Sequence, residues 1–210
     1  MFGKPRPYNR TETLDRAEKA RAKGKRKKAI AEYRKVLAQD PADTVVHQKL
    51  APLLAQTGER EAALKSFLAA AEGHLKSGFA DRAISVYAQA TTFFPGSENL
   101  WNELARLHRE RSRRADAVKV YVEAHRHFRA PQQREKAINF LRNALELEPI
   151  HVDASVHLAR LLKQGGQQVD ARRMLDQLAN QVRGPALKRV RKAQFGIAPT
   201  PATLWRWMRA

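Results

Sequence analysis

The sequence predicts an all-α chain of repeated helical hairpins, an α-solenoid, and three observations carry that expectation. The first is an internal repeat. AIAEYRKVLAQDP from Ala29, AISVYAQATTFFP from Ala83 and AINFLRNALELEP from Ala137 align without gaps at an offset of 54 residues. The second is composition: Ala, Leu, Arg, Lys, Glu and Gln dominate, all good helix formers, with apolar residues recurring at three- and four-residue spacing. The third is punctuation, since most of the ten Gly and ten Pro fall between these runs.

Taken in order, each repeated segment ends at Pro41, Pro95 or Pro149, and the stretch that follows keeps the register. Leu50, Leu104 and Leu158 align, as do Ala51, Ala105 and Ala159. Asp43 and Ser97 are expected N-caps, because a short side-chain oxygen accepts from the first free amides of a helix. Pro52 falls inside the next predicted helix and is expected to kink or shorten it. Gly58, Ser112 and Gly166 share the following turn, and Gly58 and Gly78 are placed where a helix ends on a left-handed residue. The small residues Ala29, Ala63, Ala83, Ala117, Ala137 and Ala171 are spaced alternately by 34 and 20 residues. A 20-residue step is too short for a new helical pair. One longer helix, near 60–76 and again near 114–129, is therefore expected to close one hairpin and open the next, giving three helices per 54 residues.

The pattern Gly78, Ala83, Tyr87, Ala90, Pro95 resembles the tetratricopeptide repeat, and Gly24, Ala29, Tyr33, Pro41 follow it with Val36 at the second small position. Trp101, Leu104, Ala105, Ala117, Tyr121 and Ala124 carry the pattern from the first helix of another repeat. The resemblance covers residues 14–183 and implies a right-handed solenoid, flanked by a basic arm at 1–13 and a basic tail at 184–210. It departs from the 34-residue period of the family, which leaves the curvature open. It also implies that the first helix of each repeat lines a concave groove. By register that lining is Gln48, Lys49, Asn99, Asn102, Glu103, Arg106, Arg109, Val156, His157, Arg160 and Lys163. The set is polar with a positive excess and suits an acidic or mixed-charge peptide. The alternative is a set of solvated helix faces. The paired Lys and Asn with which some family members clamp a terminal carboxylate do not recur here.

Charge is concentrated outside the middle of the sequence. Of the net +19, residues 1–41 hold 13 basic and 5 acidic side chains, and residues 184–210 hold 6 basic and none acidic. The stretch around Lys23, Lys25, Arg26, Lys27 and Lys28, with Lys188, Arg189, Arg191 and Lys192, is the footprint expected for phosphate backbones, and equally that of a solvated end. No aromatic residues are interleaved for base stacking. In the tail, ALKRVRKAQF reads as a basic helix, and Thr200-Pro201 as the cap and first residue of a last short helix. That helix carries Leu204, Trp205, Trp207 and Met208. These either fold back to cap the last apolar face, as such arrays require, or dock a partner.

Chemistry-bearing motifs are lacking. There is no cysteine, which removes disulfides and thiolate metal sites. His125 and His127 are two apart and fall on different faces of a helix. His47, His108 and His157 read as polar groove residues, and no HExxH, phosphate loop or GxSxG occurs. No cofactor or metal is expected. No secretory signal is seen at the N-terminus, so the expected setting is cytoplasmic, and the Ala- and Arg-rich usage suggests a GC-rich bacterial source. The expectation is a non-catalytic scaffold or adaptor that binds a protein or peptide. The alternative is a nucleic-acid-associated helical repeat protein using its basic ends.

Overall fold

The structure, a computed structural model, describes residues 8–209. Residues 1–7 of the expected basic arm lie outside them. Among the described residues the chain is α-helical with no strand. It divides into two compact units, one up to Phe94 and one from Pro95 onward.

The first unit holds α1 (Arg10–Ala22), α2 (Arg26–Gln39), α3 (Thr44–Gln56), α4 (Arg60–Lys76) and α5 (Ala80–Phe93). Asn9 caps α1 by accepting from the Glu12 amide, so the helix starts inside the segment expected to be an arm. Asp43 caps α3 by accepting from Val46, as its position predicts. Each helix packs on the next, and α4 packs on both α3 and α5, the double role expected of the long helix. Phe67 sits 1% exposed between α3 and α5, its ring centroid 6.2 Å from Phe94 in an edge-on arrangement. Pro52 does not shorten α3, which has the same 13 residues as its equivalents α6 (Glu98–Glu110) and α9 (Val152–Gln164). Packing of Leu50, Ala51, Leu53 and Leu54, all buried, outweighs the single backbone bond that proline removes.

The second unit holds α6 (Glu98–Glu110), α7 (Arg114–Ala124), α8 (Arg134–Leu147), α9 (Val152–Gln164), α10 (Gln168–Gln181), α11 (Gly184–Ile197) and α12 (Pro201–Met208). Ser97 stands at the N-cap of α6 but makes no side-chain capping bond. The expected continuous helix over 114–129 is instead α7 followed by a 3-10 turn at His125–His127. Two causes are visible. His125 stands where the 54-residue register puts Ala71 and Ala179, both at most 3% exposed, so an imidazole must fit an alanine-sized space. Pro131 then forces Ala130 into an extended conformation (ψ 143°) and bars further helix. Phe128 closes the turn, 1% exposed and 5.2 Å from the ring of Phe140.

Within each unit the anchor alanines are fully packed. Ala29, Ala63, Ala83, Ala117, Ala137 and Ala171 are all at most 1% exposed. In the 54-residue turn series, the amides of Glu59, Arg113 and Gln167 bond to the carbonyls of Leu54, His108 and Leu162 at 3.0, 2.8 and 2.9 Å. The residue before each has positive φ: Gly58 at 87°, Ser112 at 57° and Gly166 at 83°. Serine adopts a left-handed backbone where its two equivalents are glycine, and the conformation is strained for it.

Relief of that strain is worth about 1–2 kcal/mol, less about 0.5–1 kcal/mol for the extra freedom of glycine when unfolded. S112G is therefore expected to stabilise the chain by about 0.5–1 kcal/mol, raising its calorimetric midpoint by about 2 °C. G166A should lower it. A fall on S112G would show that the serine side chain supports the turn.

Candidate functional site

The expected groove residues fall into three groups with different roles. In the first unit, Gln48 and Lys49 on α3 are half-buried and already engaged. The Gln48 Oε1 lies 2.7 Å from His74 Nε2, and Lys49 Nζ donates to Glu18 Oε1 at 2.7 Å. Tyr33 Oη donates to the same carboxylate oxygen at 2.7 Å. Burial pushes the Glu18 carboxyl up, but the bonds from Lys49, Tyr33 and Arg21 outweigh it and hold the group down at about 2. His47 is likewise structural. Its Nε2 lies 2.9 Å from the Pro41 carbonyl, and Trp101, its equivalent one repeat on, donates from Nε1 to the Pro95 carbonyl at 2.8 Å.

In the second unit the α6 group is partly neutralised from within, at Arg106. Arg106 donates to Glu103 at 2.7 and 3.0 Å and to Glu110 on the next turn. Asn102 is half-buried, and Asn99 and Arg109 are exposed. The α9 group differs: Val156 is buried and His157 half-buried, while Arg160 and Lys163 are exposed. Arg160 makes no ion pair among the described residues, and Lys163 Nζ donates to the Gly196 carbonyl of α11 at 2.7 Å.

These two groups do not share one lining. Lys136 of α8 pairs with Glu98 of α6 at 3.0 Å, so α6 and α8 are neighbours in one row. His125, just past α7, lies 4.7 Å ring to ring from His157 of α9, and Arg189 of α11 pairs with Asp153 of α9 at 3.0 Å. The helices thus alternate between two rows. A three-helix period shifts the equivalent helix by an odd number, which puts α6 and α9 in opposite rows. The groove expected from register would therefore draw its α6 and α9 members from opposite rows in this unit.

The α9 row instead meets the tail. Thr200 caps α12 by accepting from the Thr203 amide, and the Thr203 hydroxyl accepts in return from the Thr200 amide. Trp207 stacks on Phe195 of α11 with ring centroids 5.8 Å apart. Trp205 and Met208 remain 55% and 74% exposed, and Arg209 lies 4.1 Å over the Trp205 ring. The four tail residues are therefore not buried together. Between α9, α11 and α12 lies a cleft of about 560 Å³, bordered by Arg160, Lys163, Lys192, Phe195 and Trp207. Sequence reasoning named Lys192 and Trp207 separately but missed Phe195. The basic residues of α11 are partly spent: Arg189 on Asp153, and Arg191 on the Gln194 carbonyl oxygen at 2.9 Å.

The second basic cluster needs separate treatment. Lys23, Lys25, Arg26, Lys27 and Lys28 are all exposed and make no ion pair among the described residues. Four of them sit at the start of α2, whose first turn holds no acidic residue. Their charge adds to the positive end of the helix dipole. They border a shallow cleft of about 480 Å³ with Gln56 and Thr57. Among the described residues no group of three His, Asp or Glu is placed to hold a metal, and no helix is long and apolar enough to cross a membrane.

His125 and His157 carry a pH dependence. Burial pushes His125 down to about 4, partly opposed by its bond to the Val122 carbonyl; His157 and Arg126 push it lower and Glu123 higher. Burial also lowers His157, with Arg160 and Arg126 adding and Asp153 opposing. Both are depressed in the folded state, so between about pH 6.5 and 4 the unfolded chain binds more protons. Their contribution to stability is whole above about pH 6.5 and is lost on acidification through that window. His74 of the first unit, lowered by burial and by Arg82, acts in the same sense. The urea midpoint should fall between pH 7.5 and pH 5, and H125A, which restores the alanine of the equivalent positions, should make that fall smaller. An unchanged pH difference in H125A would show that His125 is protonated in the folded chain.

Residues 128–193 match the tetratricopeptide repeat family model. No curated protein matches the chain. Among solved structures, the chain is similar to MamA at 17% identity, covering 91% of this chain and 98% of that one with a TM-score of 0.38. A thermophilic TPR protein of Thermus thermophilus gives 14% identity over 96% and 90%, with a TM-score of 0.35. A Podosopora anserina putative kinesin light chain with nearly identical TPR-like repeats gives 14% over 95% and 93%, with a TM-score of 0.43.

Proposed function

We propose that this tetratricopeptide-repeat chain is a non-catalytic scaffold that recruits another protein, of acidic or mixed surface charge, to the row of helices led by α9. One observation carries the reading. Arg160 and Lys163 of α9, with Lys188 and Lys192 of α11, are exposed and unpaired with any carboxylate among the described residues, whereas Arg106 on α6 is held between two glutamates. Unneutralised charge attracts and orients a partner of opposite sign; charge already paired within a helix does little. The proposal places the chain in the cytoplasm, in keeping with a sequence free of cysteine.

A photo-crosslinking amino acid at position 160 of the full chain is expected to form an adduct with a protein partner, and the same group at position 106 is not. The adduct should weaken as salt is raised. Folded variants that give no adduct from either position would sink the scaffold reading, and an adduct from 106 alone would move it to α6.

A second reading is supported by the exposed cluster at Lys23–Lys28: the chain binds a nucleic-acid backbone. It expects sub-micromolar binding of a generic RNA or DNA duplex near physiological salt, above the roughly 10⁻⁴ to 10⁻⁶ M typical of non-specific contact. Changing Lys25, Arg26, Lys27 and Lys28 to Gln should then reduce the salt slope by up to about 3–4. Binding no tighter than micromolar, with a slope the quadruple variant does not alter, rejects this reading.

A further inference from the structure

We infer that the cleft between α9, α11 and α12 is a docking site for an acidic peptide segment of another protein, which inserts one aromatic side chain between flanking carboxylates. This deepens the scaffold reading and rests on it. At about 560 Å³ the cleft falls within the range of ligand pockets, and its border combines apolar floor with cationic rim. The floor is Phe195, Ile197 and Trp207; Ile197 is 2% exposed. Arg160 and Lys163 enter from α9 and Lys192 from α11, and no carboxylate borders the space. The Lys163 ammonium spends one of its three donors on the Gly196 carbonyl, which fixes it at the rim with donors to spare.

Charge and ring placement select among occupants. Three cations around a low-dielectric floor focus a positive potential, which favours carboxylates beside the inserted group. A second copy of this tail is disfavoured, because residues 184–210 contain Lys and Arg and no acidic residue. A nucleic-acid base is disfavoured for a different reason. Stacking needs an open aromatic face. The Trp207 ring is already stacked on Phe195 at 21° between planes, with the Lys192 ammonium 6.0 Å from its centroid. What remains open is a pit with a charged edge, which suits a single side chain on a peptide.

The test uses the full chain and a fluorescein-labelled peptide, EDDFDEE, with EDDADEE and an oligothymidylate as comparators. By anisotropy, EDDFDEE should bind at least fivefold more tightly than EDDADEE. R160E/K192E should weaken it at least tenfold while the helical circular dichroism and its melting midpoint stay unchanged. W207L should remove the preference for phenylalanine over alanine and leave the residual, salt-sensitive binding. Equal binding of the two peptides would reduce the cleft to a diffuse positive surface and overturn the proposal. So would wild-type affinity in R160E/K192E, or tighter binding of the oligothymidylate than of EDDFDEE. Self-association abolished by W205A would put a second copy in the cleft instead. Should the peptides fail while position 160 still cross-links a protein, only this site falls and the scaffold reading stands.

Discussion

The repeated helix contacts in this chain depend on side chains too small to hold neighbouring helices apart. The six anchor alanines are essentially without exposure, and each lies at a point where one helix rests on the next. Interhelical distances of about 8–10 Å leave room there for little more than a methyl group. The larger side chain four residues on, such as Tyr33, Phe67, Tyr121 or Leu141, fills the gap that the close approach opens. The consequences of breaking this rule are visible at His125. An imidazole stands at an alanine position, the helix gives way to a 3-10 turn, and burial lowers the proton affinity of the ring. One oversized side chain thus contributes both to the local irregularity, with Pro131, and to the pH dependence, with His157 and His74.

The second organising constraint is parity. Helices stacked in sequence alternate between two rows, so a repeat with an even number of helices returns each equivalent helix to the same row. Three helices per 54 residues do not. Within the second unit, α6 and α9 are equivalent in sequence and opposite in placement. The chain accordingly uses them differently: α6 carries an arginine closed off by its own glutamates, and α9 carries cations turned toward α11.

Much of the fold was legible because small residues, prolines and turn glycines are strong local signals that recur at one spacing. The three-helix period, the role of α4 and the cap at Asp43 all follow from them. Thr200 and Pro201 announced the last helix for the same reason, a cap and a ring that both fix local backbone. Less could be read where the outcome depends on distant neighbours. Pro52 should weaken a helix in isolation, but four buried neighbours hold it. Lys49 and Gln48 look like groove residues on a helical wheel, and only the folded chain shows Glu18 and His74 beside them. Phe195 gave no signal of its own, since a lone aromatic on a basic helix has no meaning until Trp207 is seen against it. The equivalence of His47 and Trp101 was within reach: both stand 6 residues after the proline whose carbonyl they bond.

The net charge of +19 illustrates how a global count becomes local chemistry. Several cations in the middle of the sequence are spent on carboxylates three or four residues away, as at Arg106, Arg126 and Arg173. Such exposed pairs add little stability, but they remove the cation from the field a partner feels. Two groups of cations without a carboxylate partner among the described residues are the cluster at the start of α2 and, on the α9–α11 edge, Arg160, Lys188 and Lys192, each group within its own unit. These differ in kind. The α2 cluster has Gln56 and Thr57 beside it, and Arg26 also borders a cleft with Val45, Pro52 and Leu53, so it offers charge with some aliphatic surface but no aromatic ring. The α9–α11 edge sets its cations around Phe195 and Trp207, so it offers charge together with area removed from water. Charge alone steers without choosing, whereas charge around an apolar pit discriminates by shape. On the proposed reading, selective recognition therefore belongs to the α9–α11 edge, although the α2 cluster is the denser in charge.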